Sequence, residues 1–287
     1  AVTTGASAGF PLAFLAAFDP GDRVALAAPY YPPYVNILHA LGLTPVILPA
    51  AEADRFQPTT SLLDRLDPPP DGLIVASPCN PAGTMLHPDE FARIAHWCRA
   101  NGVRLISDEI YHGLTYDSPM TTAAQFEGAI VINSFSKYFS MTGWRVGWMV
   151  LPPDLLRPAE CLAQNFFISA PHISQIAAEA AFDCHDELAA NVARYRASRD
   201  YLLASLPAAG FTRLSPAEGA FYIFADLSER IGDSVAFCSR MLEDIGVAAA
   251  PGIDFDAQRG QGFVRFSYSG TAADMREAAA RLGAVHW

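Results

Sequence analysis

Residues 129–137 read Ala-Ile-Val-Ile-Asn-Ser-Phe-Ser-Lys: an apolar, β-branched run that leads straight into Ser134-Phe135-Ser136-Lys137. Runs like 129–133 recur at 23–27, 44–48, 73–76, 103–107 and 146–150. They are nearly all apolar rather than alternating, the pattern of strands buried on both faces. Helical spacing fills 7–18, 33–42, 59–66 and 88–100 between them. Pro88-Asp89 starts the last of these helices and Asn101-Gly102 stops it. This alternation predicts an α/β fold, a mainly parallel sheet flanked by helices, with function at the strand ends. After about residue 170 the texture changes. Residues 172–205 read as one long helix. An α+β pattern follows, with strands at 220–225, 247–249 and 263–267 and helices at 233–244 and 272–283. The expected division is a large domain over 1–171, then a linking helix and a smaller C-terminal domain over 172–287.

Composition narrows the function. With 51% hydrophobic and 17% charged residues the chain is not disordered. A net charge of −11 argues against a nucleic-acid footprint, which needs clustered positive charge. The five cysteines are odd in number and widely spaced, with no CxxC, so a reducing, cytoplasmic setting is expected. No HExxH or Cys/His spacing suggests a metal. Residues 1–18 and 24–51 carry no Asp, Glu, Lys or Arg. Gly5, Gly9 and Pro11 in the first, and Pro29, Pro32, Pro33, Pro45 and Pro49 in the second, suit buried core better than a membrane span. Of the 19 basic residues 18 are Arg; the one lysine is Lys137.

Four segments carry chemistry. Gly5-Ala6-Ser7-Ala8-Gly9 lies between a short strand and a helix. Free N–H groups at such a helix start, with the Ser7 hydroxyl, would cradle a phosphate, although most Gly/Ser turns are only turns. Ser77-Pro78-Cys79-Asn80-Pro81-Ala82-Gly83-Thr84 puts the Asn80 amide at a strand's carboxyl end; its plainer reading is a Pro/Gly turn. Ser107-Asp108-Glu109-Ile110-Tyr111 offers Asp108 as a helix cap or as a buried partner for a cationic ring nitrogen. In the fourth segment Lys137 stands in an apolar, aromatic run, followed by Met141-Thr142-Gly143-Trp144-Arg145-Val146-Gly147. Burial and a nearby cation such as Arg145 lower an amine's pKa and make it nucleophilic toward carbonyls.

In this order the four segments resemble the fold-type I pyridoxal-phosphate enzymes, specifically the class I/II aminotransferases of the aspartate aminotransferase superfamily. The resemblance covers essentially the whole chain, and Ser-x-Ser-Lys with Gly-Trp-Arg-x-Gly is its most specific part. It implies the PLP-dependent transferase fold, the cofactor pyridoxal 5'-phosphate, and ping-pong exchange of an amino group between an L-amino acid and a 2-oxo acid. By the same resemblance Lys137 would form the Schiff base and shuttle the proton. Asp108 would pair with the pyridinium nitrogen. Asn80 and Tyr111 would hydrogen-bond the ring's phenolic oxygen. Ala6, Ser7, Ser134, Ser136 and Arg145 would hold the phosphate, and Tyr31 would stack on the ring. Arg265, in Val264-Arg265-Phe266, would bind the substrate α-carboxylate, its alternative being an internal salt bridge.

Ala82 stands where the family more often has Thr. The family also has a stretch ahead of Gly5 that includes a tyrosine reaching the partner subunit's phosphate, so an N-terminal segment is expected to be missing here. A homodimer with the site near its interface is implied, with amino-acid metabolism as the setting. Two other readings stay open on these motifs: a β-lyase or synthase using the same cofactor, and an aminotransferase-like sensor domain of a transcriptional regulator. Tyr31, Phe135, Phe166, Phe167 and Phe255 are candidates to surround an apolar or aromatic side chain.

Overall fold

The computed structural model describes residues 1–285; His286 and Trp287, the end of the expected 172–287 segment, lie outside the described residues. The first sheet is built from β1 (Val2–Thr3), β2 (Arg23–Ala27), β3 (Thr44–Leu48), β4 (Gly72–Ala76), β5 (Arg104–Asp108), β6 (Ile130–Ser134) and β7 (Gly147–Val150). Their order is β1-β7-β6-β5-β4-β2-β3. Pairings from β3 through β6 are parallel, and those of β7 with β6 and β1 are antiparallel. Both faces are covered, which is why the strands read as continuous apolar runs. Leu73, Val75, Leu105 and Val131 pack with Phe91 and Ile94 of the helix Pro88–Ala100. The alternate residues Ile74, Ile106, Ile130 and Ile132 pack with Phe10 and Phe14 of the helix Ala6–Ala17. The uncharged stretches 1–18 and 24–51 supply much of that second layer. No helix among the described residues is long and apolar enough to cross a membrane.

A second, antiparallel sheet comprises β8 (Arg213–Leu214), β9 (Tyr222–Asp226), β10 (Ala250–Pro251) and β11 (Phe263–Ser267), in the order β10-β11-β9-β8. Its core, with Phe237, Met241 and Leu282, lies under the helices Ser234–Ile245 and Ala272–Gly283. The two sheets are stitched together by backbone. Gly219 N–H donates to Gly83 O (2.9 Å), Ala220 N–H to Leu114 O (2.8 Å) and Tyr116 N–H to Glu218 O (3.0 Å). The loops after β4 and β5 are thereby pinned against the start of β9.

Several expectations are corrected. The helix expected over 172–205 is two, His172–Ala181 and His185–Ser205. Tight bonds from Asp183 to Ala180 and Cys184 to Ala181 close the first, and Phe182 turns its ring onto Phe135 and Phe139. The strand expected at 247–249 falls at β10 instead. Gly246, in the left-handed region, carries the helix end on through Val247, and Pro251 restricts pairing to two residues. The helix expected over 59–66 is only Thr60–Leu63. The helix Pro153–Phe166 was hidden by its two prolines: Pro153 suits its first position, and Pro158 lies inside it, where proline ordinarily breaks a helix.

Gly147 pairs with Ser134 across β6 and β7, beside the start of the helix Ala6–Ala17. A Cβ there would come within 2.6 Å of Asn133 O and 3.0 Å of Ala6 N, backbone atoms that cannot step aside. Gly147→Ala should therefore cost about 1–3 kcal/mol of stability. Gly143→Ala, with nothing within 4 Å of the added atom, should cost far less. Thermal melts of the two variants check this; equal melting temperatures would contradict it.

Candidate active site

One cavity of about 370 Å³ opens where the carboxyl ends of β4, β5 and β6 meet β9 and β11. Every nominated residue except Ser134 lines it: Ala6, Ser7, Tyr31, Asn80, Asp108, Tyr111, Ser136, Lys137, Arg145 and Arg265. Ser134 sits behind Ser136. Its hydroxyl donates to Val146 O (3.1 Å), lies 2.8 Å from the Ser136 hydroxyl and accepts the Ser136 N–H (3.1 Å). Ser134 thus holds the turn that presents Lys137.

Asp108 ends β5 with 4% of its surface exposed. Tyr34 Oη donates to Asp108 Oδ2, and Ile110 N–H to Oδ1 at 3.0 Å. Burial raises its pKa to about 6, against the opposing hydrogen bonds from Tyr34 and Ile110. A cation placed against it would restore its ionised form. The next carboxylate, Glu109, faces away from the cavity. It accepts from Thr122 Oγ1 (2.9 Å), Ala123 N–H (2.7 Å) and Ser107 Oγ (3.1 Å). His112 Nδ1 lies 3.2 Å from Glu109 Oε2. Burial lowers the pKa of His112 to about 4, so the ring is neutral. Adjacent acids on one strand end therefore do different work.

Lys137 follows β6, with Nζ 5.8 Å above the Tyr111 ring and 5.7 Å above the Phe221 ring. Burial lowers its pKa, and the charges of Arg265 and then Arg145 push the same way against Asp108. Sequence reasoning named Arg145 as the nearby cation; Arg265 is the stronger one. The Arg265 guanidinium lies 4.3 Å from the Tyr222 ring and 4.6 Å from the Phe255 ring, and Nη1 donates to Asn80 Oδ1 at 2.7 Å. No carboxylate pairs with it among the described residues. Tyr111 Oη is 3.0 Å from Tyr222 Oη, and burial raises the Tyr111 pKa well above the usual phenol range.

These donors fit pyridoxal phosphate. The helix Ala6–Ala17 has Gly5 as its N-cap, no capping side chain and no acid in its first turn, which suits an anion. A Cβ on Gly5, where φ is 84°, would overlap the Arg145 guanidinium. Arg145 itself holds φ at 52°, the left-handed region, with Nη1 donating to Thr142 O at 2.9 Å. A strained non-glycine backbone kept beside an anion cradle is characteristic of a functional site.

Sequence reasoning missed Tyr34, Tyr222, Thr142 and Phe221. Tyr31 lines the cavity, edge-on to Tyr34 at 5.5 Å. The other apolar candidates are elsewhere. Phe255 backs Arg265, Phe135 packs on Phe139 and Trp148, and Phe166 and Phe167 are exposed.

Residues 1–282 match the family model for aminotransferase class I and II. The chain is 52% identical to the valine–pyruvate aminotransferase of Mycobacterium tuberculosis, covering 98% of this chain and 74% of that protein. It is 36% identical to a probable N-acetyl-LL-diaminopimelate aminotransferase of Bacillus subtilis, over 98% and 72%. An aminotransferase crystal structure from M. tuberculosis superposes with a TM-score of 0.97 at 53% identity, over 99% and 74% of the two chains.

The charges around Lys137 can be tested without cofactor. Competitive acetylation of the purified chain, followed by peptide mass spectrometry, should give a midpoint for Lys137 below the ordinary 10.5. Arg265→Gln removes a cation and should raise that midpoint; Asp108→Asn removes an anion and should lower it. Shifts in the opposite senses would contradict the assignment.

Proposed function

This chain belongs to the class I and II aminotransferases, and from that premise we propose that it works through pyridoxal 5'-phosphate held by the cavity around Lys137. It is an aminotransferase acting on an amino acid and a 2-oxo acid. The observation that carries the cofactor reading is the single lysine of the chain, set between Asp108 and two arginines in one cavity.

Ser7, Ser136, Arg145 and the N–H groups at the start of the helix Ala6–Ala17 would hold the phosphate. Asp108 would face the ring nitrogen, Tyr31 a ring face, and Tyr111 and Asn80 the phenolic oxygen. When bound, the cofactor supplies a carbonyl for the amino group and an electron sink for the Cα pair. Arg265 holds the substrate α-carboxylate as a bidentate fork, fixing which Cα bond faces Lys137. Lys137, made less basic by burial and by Arg265, takes the α-proton on Nζ and would return it to the carbon on the far side of the amino nitrogen. A 2-oxo acid entering after the first product leaves meets the same groups in reverse, which is ping-pong exchange. We take 1–171 and 172–287 as the large and small domains; the Asn80–Arg265 bond joins them at the site.

The donor is proposed to be an aliphatic amino acid such as valine, with pyruvate as acceptor. The similarity to a valine–pyruvate aminotransferase supports this. So does the charge inventory: the cationic lining residues are Lys137, Arg145 and Arg265, each with a role already, which leaves none for a distal carboxylate. A homodimer is also proposed. Phe166 (60% exposed), Ile168 (85%), Ile173 and Phe182 are exposed apolar side chains that a second copy would cover.

Half-reactions on the cofactor-loaded chain, read by absorbance, should favour valine or alanine over aspartate by at least about tenfold. Equal or better rates with aspartate would contradict the substrate reading. Lys137→Ala should lower turnover by about 10²–10⁴-fold or more, and full retained activity would remove Lys137 from the mechanism. Sedimentation should report a dimer; a monomer at assay concentration would contradict the interface.

A further inference from the structure

Tyr222 is absent from the motifs that mark the site, yet it touches both ends of it. It begins β9 with 6% of its surface exposed. Its hydroxyl lies 3.0 Å from that of Tyr111, and its ring lies 4.3 Å from the Arg265 guanidinium carbon. The Phe255 ring lies 4.6 Å from the same guanidinium carbon. We propose that Tyr222 is a positioning residue with two separable roles: its hydroxyl orients the Tyr111 proton toward the cofactor, and its ring holds Arg265 for the substrate carboxylate. This rests on the pyridoxal-phosphate reading above.

The first role follows from donor counting. Two phenols in contact share one proton between them, and here either oxygen can be the donor. If Tyr111 is to donate to a phenolic oxygen in the cavity, its own oxygen must become the acceptor of that pair. Tyr222 is the group in reach that can donate to it. A chained donor is also a stronger one, because each bond polarises the next. The other charged or titratable groups near Tyr111 and Lys137 are Asp108, Arg265, Arg145, Tyr31 and Tyr34. Burial raises the Tyr111 pKa well above the usual phenol range, so Tyr111 keeps its proton to give.

The second role follows from the shape of the guanidinium. A planar cation stacked against two aromatic rings is held in orientation, and its N–H edge is the part that meets a partner. Asn80 occupies part of that edge through Nη1. What remains is suited to a carboxylate arriving in plane. Removing one aromatic face would let the cation tilt and hydrate, and carboxylate binding would weaken.

The test separates the roles. Full-length wild type, Tyr222→Phe and Tyr222→Leu are each loaded with pyridoxal phosphate. Two quantities are read: the pH midpoint of the visible cofactor band, and the Kd for 3-methylbutanoate, a carboxylate with no amino group to transfer. A weaker donor at the phenolic oxygen leaves more negative charge for a proton on the lysine-bound nitrogen to neutralise, so the midpoint rises. Tyr222→Phe should raise it by about half to one pH unit, the worth of one neutral hydrogen bond, with Kd within about twofold. Tyr222→Leu should show the same rise and also weaken 3-methylbutanoate by about tenfold. Tyr222→Met takes its place if the Leu variant does not fold. An unmoved midpoint in Tyr222→Phe overturns the hydroxyl role, and equal Kd values in all chains overturn the ring role. Wild type that develops no visible band would instead sink the cofactor reading itself, a result distinct from either.

Discussion

The hydrogen bond from Arg265 Nη1 to Asn80 Oδ1 spans 185 residues of chain in 2.7 Å, and the site depends on it. Asn80 belongs to the loop after β4 of the first sheet, and Arg265 to β11 of the second. Neither residue makes a cavity alone. Joined, they close it from both sides and bring a cation next to Lys137. The bond is kept by what surrounds it: two aromatic faces on Arg265, and backbone bonds tying Gly83 to Gly219 and Leu114 to Ala220. A half-buried cation with no carboxylate partner among the described residues is costly in itself. That cost is offset at a place where an anionic substrate is expected.

Electrostatics describe the same design from another direction. Two arginines and a lysine line the cavity against one carboxylate, Asp108, in a chain whose net charge is −11. Burial makes each of the central groups reluctant to ionise: the lysine pKa is lowered and that of Asp108 raised to about 6. Both shifts cost the folded chain stability at neutral pH. A ligand carrying a phosphate, a cationic ring nitrogen and a carboxylate would answer each charge in turn. Asp108 is braced for this by Tyr34, which keeps one oxygen occupied and leaves the other shared with only a backbone N–H.

Much of this was legible in sequence, for definite reasons. β2, β3 and β11 match their expected spans; β2 is an apolar run buried along nearly its whole length, and β3 and β11 carry enough β-branched and aromatic residues to read as strands though only partly buried. Lys137, Asp108, Asn80 and Arg145 were visible because each sits at a strand end or within a few residues of one, where local spacing determines position. Tyr34 and Tyr222 were not visible, since their partners lie 74 and 111 residues away. Three tyrosines within 30–34 gave no local reason to prefer one. The helix starting at Pro33 decides it, turning Tyr34 inward and leaving Tyr31 at the rim. The break at 182–184 was hidden likewise, because Phe182 leaves the helix for a ring cluster on another segment.

The central claim is that this cavity exists to hold a carbonyl cofactor against Lys137. The most direct measurement is borohydride trapping after incubation with pyridoxal phosphate, followed by peptide mass spectrometry. The account predicts one phosphopyridoxyl group per chain, on the peptide carrying Lys137. Recovery of that peptide unmodified, with label only on the Ala1 amine or none at all, would contradict it.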